Sequence, residues 1–260
     1  MNTTIIDRMF WFGFLVTLGL LSVWIVISLI LVNQSKRLIF KTERSFGVIP
    51  SVPYQQEYFF LSTGQVIDTW YFPNTDSETA ILYLHGNSGR IPSFFPELMT
   101  KGSVLSPAYP RFHTSSGDLD QNSVYQTAQG ALEHLKAKGF AEENIIVMGH
   151  SLGGSPAIYL GANHPRLKKV ILINTFSSIY SMCKRTYGPF CEFGRDIFYN
   201  AQYARQTIVP VDMYHVRNDT TIPTQESEEL YKHIKTDQKT LTILENWNHN
   251  AFSFEEIRFD

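Results

Sequence analysis

The residues best suited to covalent chemistry lie in Gly149-His150-Ser151-Leu152-Gly153. This segment follows the apolar run Asn144-Ile145-Ile146-Val147-Met148 and precedes Ala157-Ile158-Tyr159-Leu160, so it reads as a strand, a tight turn and a helix. A serine on such a turn sits at strained backbone angles, and glycines two residues to either side keep neighbouring side chains from colliding. Ser151 then points out of the sheet into a cleft, where its hydroxyl can attack a carbonyl carbon. A Gly-rich turn that merely starts a helix shares the short pattern, and the flanking strand and helix favour the chemical reading.

Attack by a hydroxyl needs a base to take its proton, a carboxylate to hold that base, and donors for the oxyanion that develops. Asp219 lies in Arg217-Asn218-Asp219-Thr220-Thr221-Ile222-Pro223, just after the predicted strand Val209–Val216. His249 lies in Asn246-Trp247-Asn248-His249-Asn250, just after the last predicted strand. Both therefore sit past carboxyl ends of strands, where open α/β sheets place their sites, and in the chain order Ser, Asp, His expected of an elbow serine. Each has a plain alternative: Asp219 as a helix cap or turn aspartate, His249 as a surface-loop histidine. Asp212 and His215 fall inside a predicted buried strand, and His215 reads as a packed, hydrogen-bonded core histidine. The expected oxyanion donors are the backbone N–H groups of Asn87, in His85-Gly86-Asn87-Ser88-Gly89, and of Leu152. Gly86 lets the backbone approach a substrate closely, although an ordinary glycine turn after a strand looks similar.

Positioning these groups falls to a run of alternating elements. Glu57–Ser62 and Val66–Phe72 read as a hairpin across Thr63-Gly64-Gln65, and Ala80–Leu84 as a strand buried on both faces. After a weaker strand at Ser103–Ala108 come helix Ser123–Lys138, strand Asn144–Met148, helix Ser155–Asn163 and strand Lys169–Asn174. Strand Val209–Val216, helix Thr224–Lys235 and strand Thr240–Leu244 complete the pattern. Such alternation implies a mostly parallel sheet with helices on both faces. No internal repeat is visible.

The 260 residues suit one globular domain plus an appendage, and 43% hydrophobic residues suffice for a sizeable core. A net charge of -2 gives no electrostatic reason to expect nucleic acid. Cys183 and Cys191 match no zinc pattern; they pair in an oxidising compartment or stay free thiols in a reducing one. No metal and no cofactor is expected. The appendage is Phe10–Val32, 23 residues without a charge and longer than the roughly 20 a membrane-spanning helix needs. A cleaved signal peptide needs a basic start, an apolar run of only about 7–15 residues and a small-residue cleavage site, and none is present. The expected organisation is an N-terminal flank 1–9, a transmembrane anchor 10–32, a linker 33–56 rich in turn formers, and a catalytic-type domain 57–260. Lys36, Arg37, Lys41 and Arg44 outnumber Arg8, so the positive-inside bias places the domain in the cytoplasm, though that bias can be overridden.

From about Pro50 onward the chain resembles the α/β-hydrolase superfamily, and within it the membrane-anchored, serine-aminopeptidase-like branch that includes lysophospholipid lipases, monoacylglycerol lipases and depalmitoylating thioesterases. The resemblance rests on Leu84-His85-Gly86-Asn87, Gly149-His150-Ser151-Leu152-Gly153-Gly154, Asn174-Thr175-Phe176-Ser177-Ser178, Asp219 with Ile222-Pro223, and His249-Asn250. It implies an α/β-hydrolase fold with a small lid at 176–204. The branch usually carries a Tyr-Arg-Gly-Tyr-Gly-x-Ser-x-Gly loop after the fourth strand; here Arg111 and His113 stand at two of the glycine positions, which puts the cleft wall in doubt. Val216 also replaces a usual glycine, and the last helix is short.

The resulting expectation is a single-pass serine hydrolase that cleaves a carboxylic ester or thioester of a lipid or other acylated molecule, with Ser151 attacking, His249 as base then acid, and Asp219 orienting it. The lid is rich in aromatics, and Tyr180 and Phe190 there, with Phe94 and Phe95, are candidate substrate contacts, although packing of the same rings onto the core is equally compatible. Two other readings stand beside it: an amide hydrolase of the serine-aminopeptidase kind, and a catalytically silent, membrane-tethered binding module.

Overall fold

Short apolar runs bounded by turns become eight strands in the computed structural model, which describes residues 3–40, 53–89, 94–188, 191, 197–245, 247–251 and 254–260. They are β1 Gln55–Phe60, β2 Val66–Phe72, β3 Ala80–Leu84, β4 Ser103–Pro107, β5 Ile145–His150, β6 Lys169–Ile173, β7 Val211–Val216 and β8 Lys239–Leu244. The sheet order is β1-β2-β4-β3-β5-β6-β7-β8. β1 and β2 pair antiparallel, β2 joins β4 antiparallel, and every pairing from β4 to β8 is parallel. Strands β3, β5, β6 and β7 are buried along their whole length, as parallel strands covered on both faces must be. Register brings the strand ends level: Leu84 lies opposite Gly149, His150 opposite Ile173, and Val216 opposite Leu244. The loops after β3, β5, β6, β7 and β8 therefore leave the sheet at one end.

The helices are α1 Thr3–Ile39, α2 Phe95–Met99, α3 Gln121–Ala137, α4 Gly154–Asn163, α5 Ile179–Tyr187, α6 Asn200–Ala204 and α7 Thr224–His233. Helices α3, α4, α6 and α7 cover one face, packing Leu132, Leu135, Ile158, Leu160 and Leu230 on Leu82, Val147, Leu172 and Met213. Among the described residues, the opposite face is covered by much less chain, namely α2 and a single turn at Phe254–Glu256. Large rings make up the missing area. Phe95 meets Phe72 and Tyr83 at centroid distances of 5.0 and 5.2 Å, and Phe94 stacks on Phe254 at 5.5 Å. Phe94 and Phe95, expected as substrate contacts, are thus core residues of this face.

Two kinds of local feature place element boundaries away from the expected positions. α3 starts two residues before Ser123 because Asp120 is its cap: Ser123 N–H donates to Asp120 Oδ1 at 2.9 Å, and Ser123 Oγ accepts from Asp120 N–H at 3.0 Å. α2, α5 and α6 are helices of nine residues or fewer, too short to show a 3.6-residue period in the sequence. Cys183 of α5 is disulfide-bonded to Cys191, with Cα atoms 5.9 Å apart.

Asp7–Ile30 of α1 is long and apolar enough to cross a membrane by length and composition, and its side chains are almost all exposed. The helix does not end at Val32. It runs on to Ile39, since no glycine or proline intervenes before Gly47. Of the segment read as a linker, residues 41–52 lie outside the described residues.

Replacing the α3 cap, Asp120→Ala, leaves the Ser123 N–H unpaired and should cost about 1 kcal/mol. A thermal melt in detergent should show Tm lower by roughly 2–4 °C, with Asp120→Ser recovering most of it.

Candidate active site

Ser151 opens the turn Ser151–Gly153 between β5 and α4, and its φ of 55° puts it in the left-handed region that a side chain disfavours. The turn is possible only because its neighbours lack side chains. A Cβ on Gly153 would lie 2.0 Å from the Leu84 carbonyl oxygen, and one on Gly149 would lie 2.3 Å from that of Gly153. From the loop after β6, the Thr175 hydroxyl donates to the Ser151 carbonyl at 2.9 Å.

The loops after β7 and β8 bring their expected residues to this serine. His249 Nε2 lies 3.0 Å from Ser151 Oγ, and His249 Nδ1 lies 2.6 Å from Asp219 Oδ2. With Nδ1–H donating to the carboxylate, Nε2 is left to accept from the serine hydroxyl, the order of contacts in which an imidazole can remove that proton. Asp219 Oδ1 accepts from Thr221 N–H at 2.7 Å and Ile222 N–H at 2.9 Å. Burial raises the Asp219 pKa, but the His249 hydrogen bond and these two N–H groups outweigh it and hold the carboxyl below its ordinary value. His215 is fully buried: its Nε2–H donates to the Ile222 carbonyl at 2.9 Å and its Nδ1 meets Ser227 Oγ at 2.6 Å. Asp212 is engaged with Lys169 at 2.8 Å and Thr240 at 2.7 Å, away from the serine.

Two residues with no role assigned from the sequence hold His249 itself. His150 Nε2–H donates to the His249 carbonyl at 2.8 Å, and Asn174 Nδ2 donates to the same oxygen at 3.0 Å. Asn174 Oδ1 in turn accepts from Val216 N–H at 2.8 Å, so one amide ties the end of β7 to the His249 loop. Its φ of 47° is one that asparagine tolerates better than most side chains, which was the available sequence signal. For His150 no signal existed, because its partner is a backbone atom 99 positions away.

The loop after β3 lies against the serine: a Cβ on Gly86 would stand 3.3 Å from Ser151 Cβ. His85 is locked in one neutral tautomer beneath it, Nδ1–H donating to the Gly86 carbonyl at 2.6 Å and Nε2 accepting from Tyr109 N–H at 3.3 Å. His113 Nε2 donates to the Gly89 carbonyl at 3.0 Å, with its ring 4.6 Å from that of Trp70. Arg111 and His113, which replace two expected glycines, keep the positive φ values of 70° and 47° that glycine would adopt freely. These angles are compatible with the glycine pattern, and the His113 side chain bonds the loop carrying Asn87. Leu152 is buried in a third apolar cluster with Phe40, Phe112, Phe176, Phe198 and Ile222. Tyr180 is half-buried on α5, and Phe190 lies outside the described residues. No group of three or more His, Cys, Asp or Glu side chains is placed to hold a metal ion among the described residues.

No protein-family model matches the chain. Among curated proteins it is 23% identical over 209 residues to the uncharacterized protein YfhR of Escherichia coli strain K12, covering 75% of this chain and 73% of the relative. It is 29% identical over 152 residues to the alpha/beta hydrolase domain-containing protein WAV2 of Arabidopsis thaliana, covering 54% of this chain and 49% of that one. Among solved structures, the esterase Pf2001 of Pyrococcus furiosus superposes with a TM-score of 0.65 at 18% identity, over 80% of this chain and 90% of that chain.

Burial lowers the pKa of His85 to about 3 and of His150 to about 4. Below the unfolded value of about 6.5 the unfolded chain binds protons that the native state refuses, so stability falls as pH falls. Each group should forfeit about 2 kcal/mol between pH 7 and pH 5, whereas Asp219, with its lowered pKa, keeps its contribution over that window. Urea midpoints at the two pH values check this: His150→Gln should narrow the gap, and an unchanged gap would mean that native His150 takes up the proton.

Proposed function

We propose that this chain, which has the α/β-hydrolase fold, is a serine hydrolase acting on carboxylic esters or thioesters of lipids or other acylated molecules. The contact pair Ser151 Oγ to His249 Nε2 at 3.0 Å and His249 Nδ1 to Asp219 Oδ2 at 2.6 Å carries the reading. Ser151 attacks the acyl carbonyl while His249 takes the hydroxyl proton, and Asp219 stabilises the imidazolium. The backbone N–H groups of Asn87 and Leu152 stabilise the oxyanion. His249 then protonates the leaving alcohol or thiol, and water, activated by the same imidazole, releases the acyl group from Ser151.

An ester or thioester is favoured over a peptide amino terminus by the state of the nearby acids. Asp219 has both oxygens engaged, and Glu226 accepts from Ser177 Oγ at 2.7 Å and Arg185 Nε at 2.8 Å. Among the described residues, neither of these acids is left to bind an ammonium group. The apolar cluster of Leu152, Phe176, Phe198 and Ile222 includes residues next in the chain to site residues and suits an acyl substrate, whose burial is worth about 0.8 kcal/mol per methylene.

A fluorophosphonate probe should label the purified protein, and Ser151→Ala should abolish labelling and lower kcat/KM for an activated acyl ester by on the order of 10⁴- to 10⁶-fold. Absence of labelling, or labelling that survives in Ser151→Ala, overturns the proposal.

We further propose that α1 anchors the domain to a membrane, on the strength of its exposed apolar Asp7–Ile30 segment. The flanking charges favour the cytoplasmic side, whereas the Cys183–Cys191 crosslink favours an oxidising compartment. We assign the domain to the oxidising, non-cytoplasmic side, because the charge rule biases insertion without compelling it whereas a reducing cytosol would open the bond. In sealed vesicles of cytoplasmic orientation, a maleimide–polyethylene glycol should modify the cysteines only after permeabilisation and reduction. Modification of both without reduction would return the domain to the cytoplasm.

A further inference from the structure

Glu226 carries a fully buried carboxylate that the chemistry assigned to Ser151, Asp219 and His249 does not use. It stands in the first turn of α7, directly downstream of the Asp219 loop. A charge in that setting is costly unless it is paired and hydrogen-bonded, so its partners are informative. Its Oε2 accepts from Ser177 N–H at 3.2 Å, from Ser177 Oγ at 2.7 Å and from Ser181 Oγ, and its Oε1 accepts from Arg185 Nε at 2.8 Å. Ser177 belongs to the loop after β6. Ser181 and Arg185 are spaced i, i+4 on α5, which puts both on one face of that helix.

The loop after β6 is also what holds the site. Asn174 donates to the His249 carbonyl at 3.0 Å, and the Thr175 hydroxyl donates to the Ser151 carbonyl at 2.9 Å. Helices α6 and α7 grip the same loop: Ser227 Oγ lies 3.0 Å from the Thr175 carbonyl, Asn200 Nδ2 donates to the Phe176 carbonyl at 2.9 Å, and Ala201 N–H donates to that of Ser177 at 3.2 Å. Glu226 is the charged member of this grip, and among the described residues Arg185 is the cation paired with it. Arg185 stands at the surface with its side chain 48% exposed, on a helix that rests Ile179 and Met182 against the apolar cluster containing Leu152 and Ile222.

We propose that Glu226 is a positioning residue of the site and that its charge is balanced from α5, in the segment expected to form a lid. With α5 seated, Arg185 offsets the buried charge and the carboxylate holds Ser177. Residues 174–177 then keep Ser151 and His249 in bonding register. When Arg185 is withdrawn, the carboxylate is left buried without a countercharge, so it draws water into the junction and loosens its hold on Ser177. Turnover at full rate therefore requires α5 in place. This rests on the serine-hydrolase reading and adds a regulatory contact to that same site.

The test uses the full-length chain in phosphatidylcholine vesicles and an octanoyl ester of a fluorogenic alcohol. Its readout is kcat per active site titrated by a fluorophosphonate, so that protein lost to misfolding does not count. Arg185→Met should lower this per-site kcat on the order of tenfold, as a small misplacement of reacting groups does. Arg185→Lys, which keeps the charge, should stay within about threefold of the wild type. Combining Arg185→Met with Glu226→Gln should recover most of the loss, since a neutral amide oxygen still accepts from Ser177 and needs no cation. A per-site kcat unchanged in Arg185→Met, or a double variant as slow as Arg185→Met alone, overturns the proposal. Labelled wild type with either of those results rejects the junction alone, whereas wild type that takes no label rejects the hydrolase reading.

Discussion

The geometry at Ser151 depends on a backbone approach so close that it leaves no room for a Cβ atom. Strand β5 turns into α4 with Gly153 pressed against the Leu84 carbonyl and Gly149 against that of Gly153, and the serine between them takes a φ of 55°. An alanine at either glycine would overlap backbone, which cannot swing aside as a flexible side chain can. Everything else in the site is arranged around that fixed point. The parallel register delivers the other loops to the same end of the sheet, where those after β6 and β8 bond to the serine directly and the one after β7 bonds to His249.

Those loops are made rigid by satisfying polar groups within the protein. The His249 carbonyl accepts from both His150 and Asn174, the Asp219 carboxylate accepts from two backbone N–H groups as well as from His249, and the Gly86 and Gly89 carbonyls are held by His85 and His113. Four histidines therefore serve one constellation, and three of them, His85, His150 and His113, hold backbone carbonyls. Burial keeps His85 and His150 neutral, which lets each present the single donor its carbonyl needs. Preorganisation of this kind fixes the mutual orientation of Ser151, His249 and Asp219 within the protein itself.

Two departures from the pattern that the sequence resembles are absorbed locally. Arg111 and His113 stand where glycines are usual yet keep positive φ, a strain of the order of 1 kcal/mol each. His113 offsets part of it through its bond to Gly89 and its contact with Trp70. On the face of the sheet that the described residues cover sparsely, the rings of Phe94, Phe95 and Phe254 supply apolar area.

Sequence alone determined the strand-turn-helix at Ser151, the chain order of Ser151, Asp219 and His249, the mostly parallel sheet and the apolar N-terminal segment, because each is written in local periodicity, turn chemistry or uninterrupted hydrophobicity. It did not separate Phe94 and Phe95 as core rings from substrate contacts, since a phenylalanine looks the same in either place and only the thin cover on that face assigns them. Nor did it show that α1 reaches the site, where Asn87 meets Ile39 across 48 positions. His150 and Asn174 as the clamp on His249 were hidden for the same reason: the partner is a backbone carbonyl, which has no signature in the sequence and acquires a position only when the sheet has closed.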